Sequence, residues 1–261
     1  KDHLEVYLQQ ECLKPVSLYK SMSLLGKGII GAQWLLTKTG LGATNHFETL
    51  GFIRSKENIS YPDIMFHLLP IAINYDGSSP VKGHGFQLHV GPMRSNSRGF
   101  VRIRSAEALE SPEIQFNYMS QQSDWEEFRR CIRLSREILS QPALSSLVGK
   151  EIQPGDHKVS DNEIDGFIKQ HAESAYHPCG TMKMGAKNDP NAVIDPDCRV
   201  IGIRNLRVAD SSIFPRITNG NLNAPSIMVG EKAADHILGV TPLPRSNHEP
   251  YESPDWATNQ R

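Results

Sequence analysis

Hydrophobic and polar positions alternate along four short segments in the first half of the chain, at residues 63–69, 85–90, 100–104 and 113–119. In the last segment, Ile114, Phe116 and Tyr118 share one side, and polar residues share the other. A period of two is typical of strands, because successive side chains point to opposite faces. One apolar and one polar face favours antiparallel pairing, so we predict an antiparallel sheet with one buried face.

Apolar positions recur at helical spacing in three later segments. Ser123 and Glu126 have the spacing of a capping box and precede the first apolar face. Ser160 and Glu163 repeat that arrangement before the second face, and residues 224–239 form the third. Strands followed by helices predict an α+β fold, with helices packed on one face of the sheet.

The first 45 residues contain several glycines, and their pattern predicts short helical pieces broken at Pro15 and at glycines. Gly26, Gly28 and Gly31 spell the G-x-G-x-x-G of dinucleotide-binding folds. That motif needs a buried strand before it, and residues 18–25 lack the β-branched run of such a strand. We therefore interpret the glycines as part of a connector.

Composition narrows the classes of partner. The formal net charge is −1, with 28 basic and 29 acidic residues, so nucleic acid is not expected as a partner. The four cysteines are widely spaced and form no C-x-x-C pair, which argues against a disulfide scaffold and fits a reducing compartment. The most apolar stretch, residues 24–36, is too short to span a bilayer.

A metal site is one alternative for the histidines. His67, His84 and His89 fall on separate predicted elements and have no cysteine partner nearby in sequence. We therefore expect no metal.

Two loops carry candidate chemistry. His177 is followed by Pro178 and Gly180, which prevent a helix and hold the imidazole on a loop. Imidazole is the usual proton acceptor near neutral pH. The alternative is a histidine that only bonds a backbone carbonyl.

The second loop region precedes the last predicted helix. A short apolar run ends in Asp210 and Ser211, and Asn221 and Asn223 stand where the helix begins. The first-turn amides of that helix could face an anionic or electron-rich ring. The alternative is that the asparagines only cap the helix.

Together these segments resemble the C-terminal signature of the glucose-methanol-choline (GMC) oxidoreductase family. The matching runs are HPCGTMKMG, VIDPDCRVIGIRNLRVADSSIFP and GNLNAPSIMVGEKAADHIL, in this order. Upstream, TGLGATNHFETLGFIRS, HVGPMRSNSRGFVRIRS and FNYMSQQSDWEEFR resemble the choline dehydrogenase branch of that family. The similarity covers roughly residues 34–239.

The resemblance implies a role for each matching residue. His177 and Asn221 match the two catalytic positions, and Asn221 and Asn223 lie near the flavin ring. Asp210 and Ser211 match positions that contact the ribityl-phosphate part of FAD. His46 and Glu48 resemble a substrate-binding His-x-Glu segment, in which the carboxylate faces the trimethylammonium group of choline. Candidate aromatic partners of that cation are Phe47, Tyr61, Phe66 and Tyr75.

The resemblance further implies FAD-dependent oxidation of choline to betaine aldehyde, with hydride transfer to the flavin. It implies a substrate-binding domain over residues 1–185, a return into the FAD-binding domain over 186–240, and a surface tail over 241–261. Because family members carry an N-terminal nucleotide-binding unit, we expect this chain to be a C-terminal fragment, inactive without that FAD-binding segment.

Further expectations concern alternative functions and the place of the protein in the cell. Another primary alcohol could be the substrate, or the chain could be an inactive truncated binding module. The resemblance implies a peripheral place on the bacterial cell membrane or the mitochondrial inner membrane, with a membrane electron acceptor. Without that association the protein would be cytoplasmic.

Overall fold

The computed structural model describes residues 1–74, 82–241, 243–252 and 254–258. Its strands are β1 Leu4–Cys12, β2 Thr49–Ile53, β3 Ile64–Leu69, β4 Gly85–Pro92, β5 Phe100–Arg102, β6 Glu113–Gln115, β7 Val148–Gln153 and β8 Glu173–Ser174. Its α-helices are α1 Leu24–Thr37, α2 Gln122–Leu139, α3 Asp161–His171 and α4 Asn223–Leu238.

The main sheet is antiparallel, as the alternating pattern predicts. Its order is β2-β3-β4-β1-β7, and β8 pairs with one end of β1. In the register of β1 with β4, Val6 lies opposite Val90. In that of β3 with β4, His67 lies opposite His89. Strands β5 and β6 form a separate two-stranded ribbon.

The two faces of the main sheet have different environments. Val6 and Leu8 of β1 are fully buried and pack with Phe128 and Ile132 of α2 in the main hydrophobic core. The alternate residue Glu5 lines a cavity on the opposite side of the sheet. Because side chains alternate along a strand, one face of the sheet packs in the core and the other face is available to form a site.

Helix α3 begins with the predicted capping box. The Ser160 side chain accepts from the Glu163 backbone N–H, and the Glu163 carboxylate accepts from the Ser160 backbone N–H at 3.0 Å. Two backbone donors that the helix leaves unpaired are thus satisfied.

Replacing Ser160 with alanine should lower the free energy of unfolding by about 1 kcal/mol, because one capping bond is lost. Urea denaturation of wild type and variant measures the change. Ser123→Ala is the matched control, since α2 begins without a side-chain cap bond. A loss as large in the control as in Ser160→Ala would contradict this account.

Three predictions about the elements are wrong. Residues 4–12 form strand β1 rather than helical pieces, and α1 runs without a break through Gly26, Gly28 and Gly31. The capping box predicted at Ser123 does not form, because α2 already begins at Gln122. Residues 4–12 show only weak alternation, and the pairing that makes them a strand comes from distant partner strands.

The predicted buried face of the small ribbon is also wrong. Val101 and Ile114 pair across β5 and β6, yet they are 49% and 55% exposed. The pattern indicates a strand correctly but cannot show whether another element covers it.

Residues beyond α3 have a hydrophobic cluster of their own. It contains Ile194, Cys198 and Ile213, with Val229 and Ala233 of α4. A division of the chain near residue 185 stays a prediction. Within the described residues, none of the helices combines the length and hydropathy that crossing a membrane requires.

Candidate active site

A cavity of about 510 Å³ opens on the face of the sheet opposite the main core. Strands β1, β2, β3 and β4 line it together with the loop after β8 and the segment before α4. The residues that matter for chemistry are Glu5, Phe47, His67, His89, His177 and Asn221.

The loop that carries His177 is tied to the start of the chain. The Asp2 carboxylate accepts a hydrogen bond from the His177 backbone N–H at 2.9 Å. Its second oxygen accepts from Tyr118 at 2.6 Å and from Ser174 at 2.7 Å. Tyr176 has a φ of 59°, which turns the chain sharply into the loop. These contacts fix the backbone from which the imidazole projects.

His3 holds the imidazole of His177 from behind. The two Nδ1 atoms are 3.1 Å apart, and the rings meet edge to face with centroids 5.1 Å apart. Burial, and then the nearby His177, lower the pKa of His3 to about 4. Burial also lowers the pKa of His177, against the raising effect of Asp2 and Glu5. Both rings are therefore neutral at physiological pH.

A chain of polar side chains holds the carboxylate of Glu5. Its Oε1 lies 3.1 Å from Nδ1 of His89. Nε2 of His89 lies 2.7 Å from the Gln87 side-chain nitrogen. The Gln87 oxygen accepts from the Ile73 backbone N–H at 3.0 Å and from Gln9. The amide nitrogen must therefore donate to His89, whose Nδ1–H then donates to Glu5.

Asn221 and Asn223 stand at the start of α4. Asn221 lines the cavity, and Asn223 is the first residue of the helix. The N-cap residue is Leu222, and it makes no side-chain cap bond, so the interpretation of the asparagines as mere caps is wrong. First-turn amides without a capping side chain remain available to an electron-rich group.

Asp210 and Ser211 lie directly against the His177 loop. Asp210 caps a short 3-10 helix by accepting from the Ser212 backbone N–H at 2.8 Å. The Ser211 hydroxyl donates to the Pro178 carbonyl at 3.2 Å. The Ser212 carbonyl accepts from the Met182 N–H at 2.9 Å. These hydrogen bonds join the two predicted loops, which therefore lie side by side.

Not every predicted site residue reaches the cavity. His177 and Asn221 line it together, but His46 and Glu48 are absent from its lining. Glu48 is exposed, and its backbone N–H bonds the Leu68 carbonyl at 3.1 Å. The imidazole of His46 lies 3.3 Å from the hydroxyl of Thr44.

Of the candidate aromatic residues, Phe47 lines the cavity. It meets His67 and His89 edge to face, with ring centroids 5.6 and 5.2 Å apart. Phe66 points to the opposite face of the sheet, and Tyr61 stacks with Arg94. Tyr75 falls outside the described residues.

Sequence reasoning missed the residues at the start of the chain. Asp2, His3 and Glu5 form D-H-x-E, in which His3 and Glu5 stand two positions apart. In an extended segment that spacing places both side chains on one face. The signal was available, but it is readable only once residues 4–12 are taken as a strand.

The cavity brings together an imidazole, a carboxylate and the segment that leads into helix α4, and comparison with known proteins gives the class. A family model described as GMC oxidoreductase matches residues 95–230, slightly more than half of the chain. The chain therefore belongs to the GMC oxidoreductase family.

Curated relatives include several proteins named oxygen-dependent choline dehydrogenase. That of Brucella ovis is 63% identical over all 261 residues, and that of Rhizobium meliloti is 58% identical. In both cases the match covers 48% of the relative. The chain thus spans about half the length of the curated relatives it matches.

Solved structures show the same fold. Pyridoxine 4-oxidase from Mesorbium loti is 27% identical, with a TM-score of 0.74 over 92% of this chain and 43% of that chain. Formate oxidase is 23% identical, with a TM-score of 0.82 over 91% of this chain and 46% of that chain. These matches confirm the predicted antiparallel-sheet architecture.

Proposed function

We propose that the complete protein oxidises choline to betaine aldehyde with FAD as cofactor. The observation that carries this proposal is the placement of two groups in one cavity. The neutral imidazole of His177 and the carboxylate of Glu5 both line it. His89 contacts that carboxylate and holds it in place. The imidazole suits a hydroxyl group and the carboxylate suits a quaternary ammonium group, and choline has both.

The residues present fit a flavin. The uncapped first turn of α4 supplies donors for the electron-rich edge of an isoalloxazine ring, with Asn221 and Asn223 beside it. Asp210 and Ser211, next to the His177 loop, would hold the ribityl-phosphate part. When bound, the flavin supplies the hydride acceptor that no side chain can provide.

The proton chemistry belongs to the protein. His177 would remove the hydroxyl proton of choline, because an alcohol donates hydride poorly while it keeps that proton. Asn221 would donate a hydrogen bond to the developing alkoxide. An oriented donor of this kind contributes roughly 10² to 10³ in rate.

Recognition of the cation is assigned to Glu5 rather than to Glu48. A quaternary nitrogen offers no hydrogen, so it is bound through opposite charge and aromatic faces. Glu5 lines the cavity together with the ring of Phe47, whereas Glu48 is exposed to solvent. The chain from Gln87 through His89 directs an N–H at the carboxylate of Glu5 and holds it at the cavity.

The test is anaerobic addition of choline to the flavin-loaded protein, produced from its complete reading frame. Choline should bleach the absorbance of oxidised flavin in a single turnover. The primary alcohol 1-butanol, which lacks the cation, should do so far more slowly at equal concentration. Bound flavin that choline leaves oxidised would refute the proposed substrate.

The pH dependence of kcat/KM for choline should follow His177. The base acts only when neutral, so kcat/KM falls as pH drops through its pKa and is constant above it. Because burial lowers this pKa, the midpoint should lie below the ordinary value of 6.5. Initial rates between about pH 5 and 9 measure it. A midpoint above 6.5 would show that another group limits the reaction.

The place of the protein in the cell stays a prediction of the resemblance. That prediction is that the protein associates peripherally with a membrane and transfers electrons to an acceptor in that membrane. The domain boundaries near residues 185 and 240 are likewise proposed.

A further inference from the structure

The environment of His3 fixes which of its nitrogens carries the proton. Nε2 lies 3.1 Å from the carbonyl oxygen of Met93 and 3.1 Å from that of Thr218. Carbonyl oxygens only accept, so Nε2 must donate. His3 is only 1% exposed, and a charged imidazolium would lose its hydration there. His3 is therefore neutral, with a bare Nδ1.

The bare Nδ1 of His3 faces Nδ1 of His177 at 3.1 Å. Two bare nitrogens at this distance would repel, so Nδ1 of His177 must carry a hydrogen and donate it. In a neutral ring the second nitrogen then has no hydrogen. From this geometry we infer that His3 is a positioning residue that fixes the tautomer of His177 with Nδ1 protonated and Nε2 bare.

This inference rests on the proposed function of His177 and specifies which of its nitrogens accepts the proton. Nε2 of His177 is the atom that takes the hydroxyl proton, and the ring becomes an imidazolium. Its Nδ1–H stays bonded to His3, which keeps its own hydrogen on Nε2. The proton thus stays on His177, near the Asp2 and Glu5 charges that favour it. The opposite tautomer would point an N–H at the substrate hydroxyl and could not remove its proton.

The tautomer can be measured without any assay of activity. In the complete flavin-loaded protein labelled with 15N-histidine, a two-bond 1H–15N correlation distinguishes a bare ring nitrogen from a protonated one. The His177 signals are those that vanish in His177→Gln. We expect a protonated Nδ1 and a bare Nε2 near neutral pH. A bare Nδ1 with a protonated Nε2 would overturn the inference.

Two replacements of His3 separate positioning from packing. In His3→Asn the side-chain oxygen falls near the former Nδ1 and can still accept from His177. In His3→Leu nothing can accept. The limiting rate of flavin reduction should fall by about tenfold to a hundredfold in His3→Leu, part of what a positioned base contributes. His3→Asn should recover most of that rate. The choline Kd should be similar in both variants, since His3 does not line the cavity.

These experiments distinguish failure of this inference from failure of the proposed function. Equal reduction rates in wild type and in folded His3→Leu would overturn the positioning role. If His3→Leu does not fold, the wild-type spectrum alone decides the tautomer. If the expected tautomer is found but choline does not reduce the flavin, the proposed substrate fails and the assignment of the nitrogens stands.

Discussion

Replacing His177 with alanine should slow the reduction of bound flavin by choline by about 10² to 10⁴-fold, the contribution of a positioned base. The side chain faces the cavity with Asn221, and its backbone is fixed by Asp2 through a 2.9 Å hydrogen bond. Alanine removes the ring but keeps the N–H that makes this bond. Stopped-flow absorbance under anaerobic conditions measures the limiting rate.

Two controls make this result specific. His248→Ala, in the exposed tail, should reduce flavin at the wild-type rate. Free imidazole added to His177→Ala should restore part of the lost rate, because it supplies a base to the vacated space. A His177→Ala protein as fast as wild type would remove His177 from the chemistry.

Replacing Glu5 with glutamine should weaken choline binding by about thirtyfold or more, since loss of one partner of a buried charge pair costs roughly 2 kcal/mol or more. Glutamine keeps an oxygen that can accept from His89 and removes only the charge. The dependence of the flavin reduction rate on choline concentration gives the Kd.

The neutral isostere 3,3-dimethylbutan-1-ol, with carbon in place of nitrogen, should bind Glu5→Gln as well as it binds wild type. Glu48→Gln is the matched control at the position that sequence reasoning had favoured, and its choline Kd should be unchanged. A large effect in Glu48→Gln with none in Glu5→Gln would reverse the assignment.

The fold could be predicted well where a local pattern carried the information. Strands β3 and β4 and the ends of α3 follow from alternation and from the Ser160 capping box. Strand β1 could not be predicted, because its stability comes from β4 on one side and β7 on the other. Such pairing is a property of distant segments and leaves a weak local signal.

The candidate site divides in the same way. His177 and Asn221 were found through loop motifs, and the structure places both in one cavity. Glu5 was missed because its role depends on the face of a strand that had not been recognised. His3 was missed for the same reason, and its contact with His177 joins residues 174 positions apart. Contacts between distant segments of this kind cannot be read from spacing.

The most direct test of the account is a crystal structure of the complete protein with FAD and the product analogue glycine betaine. We predict that its trimethylammonium group lies against Glu5 and the ring of Phe47. A carboxylate oxygen should accept hydrogen bonds from Asn221 and from Nε2–H of His177, because a bound anion favours the imidazolium form of that ring. A ligand whose cation lies at Glu48, or whose carboxylate lies away from His177, would contradict the account.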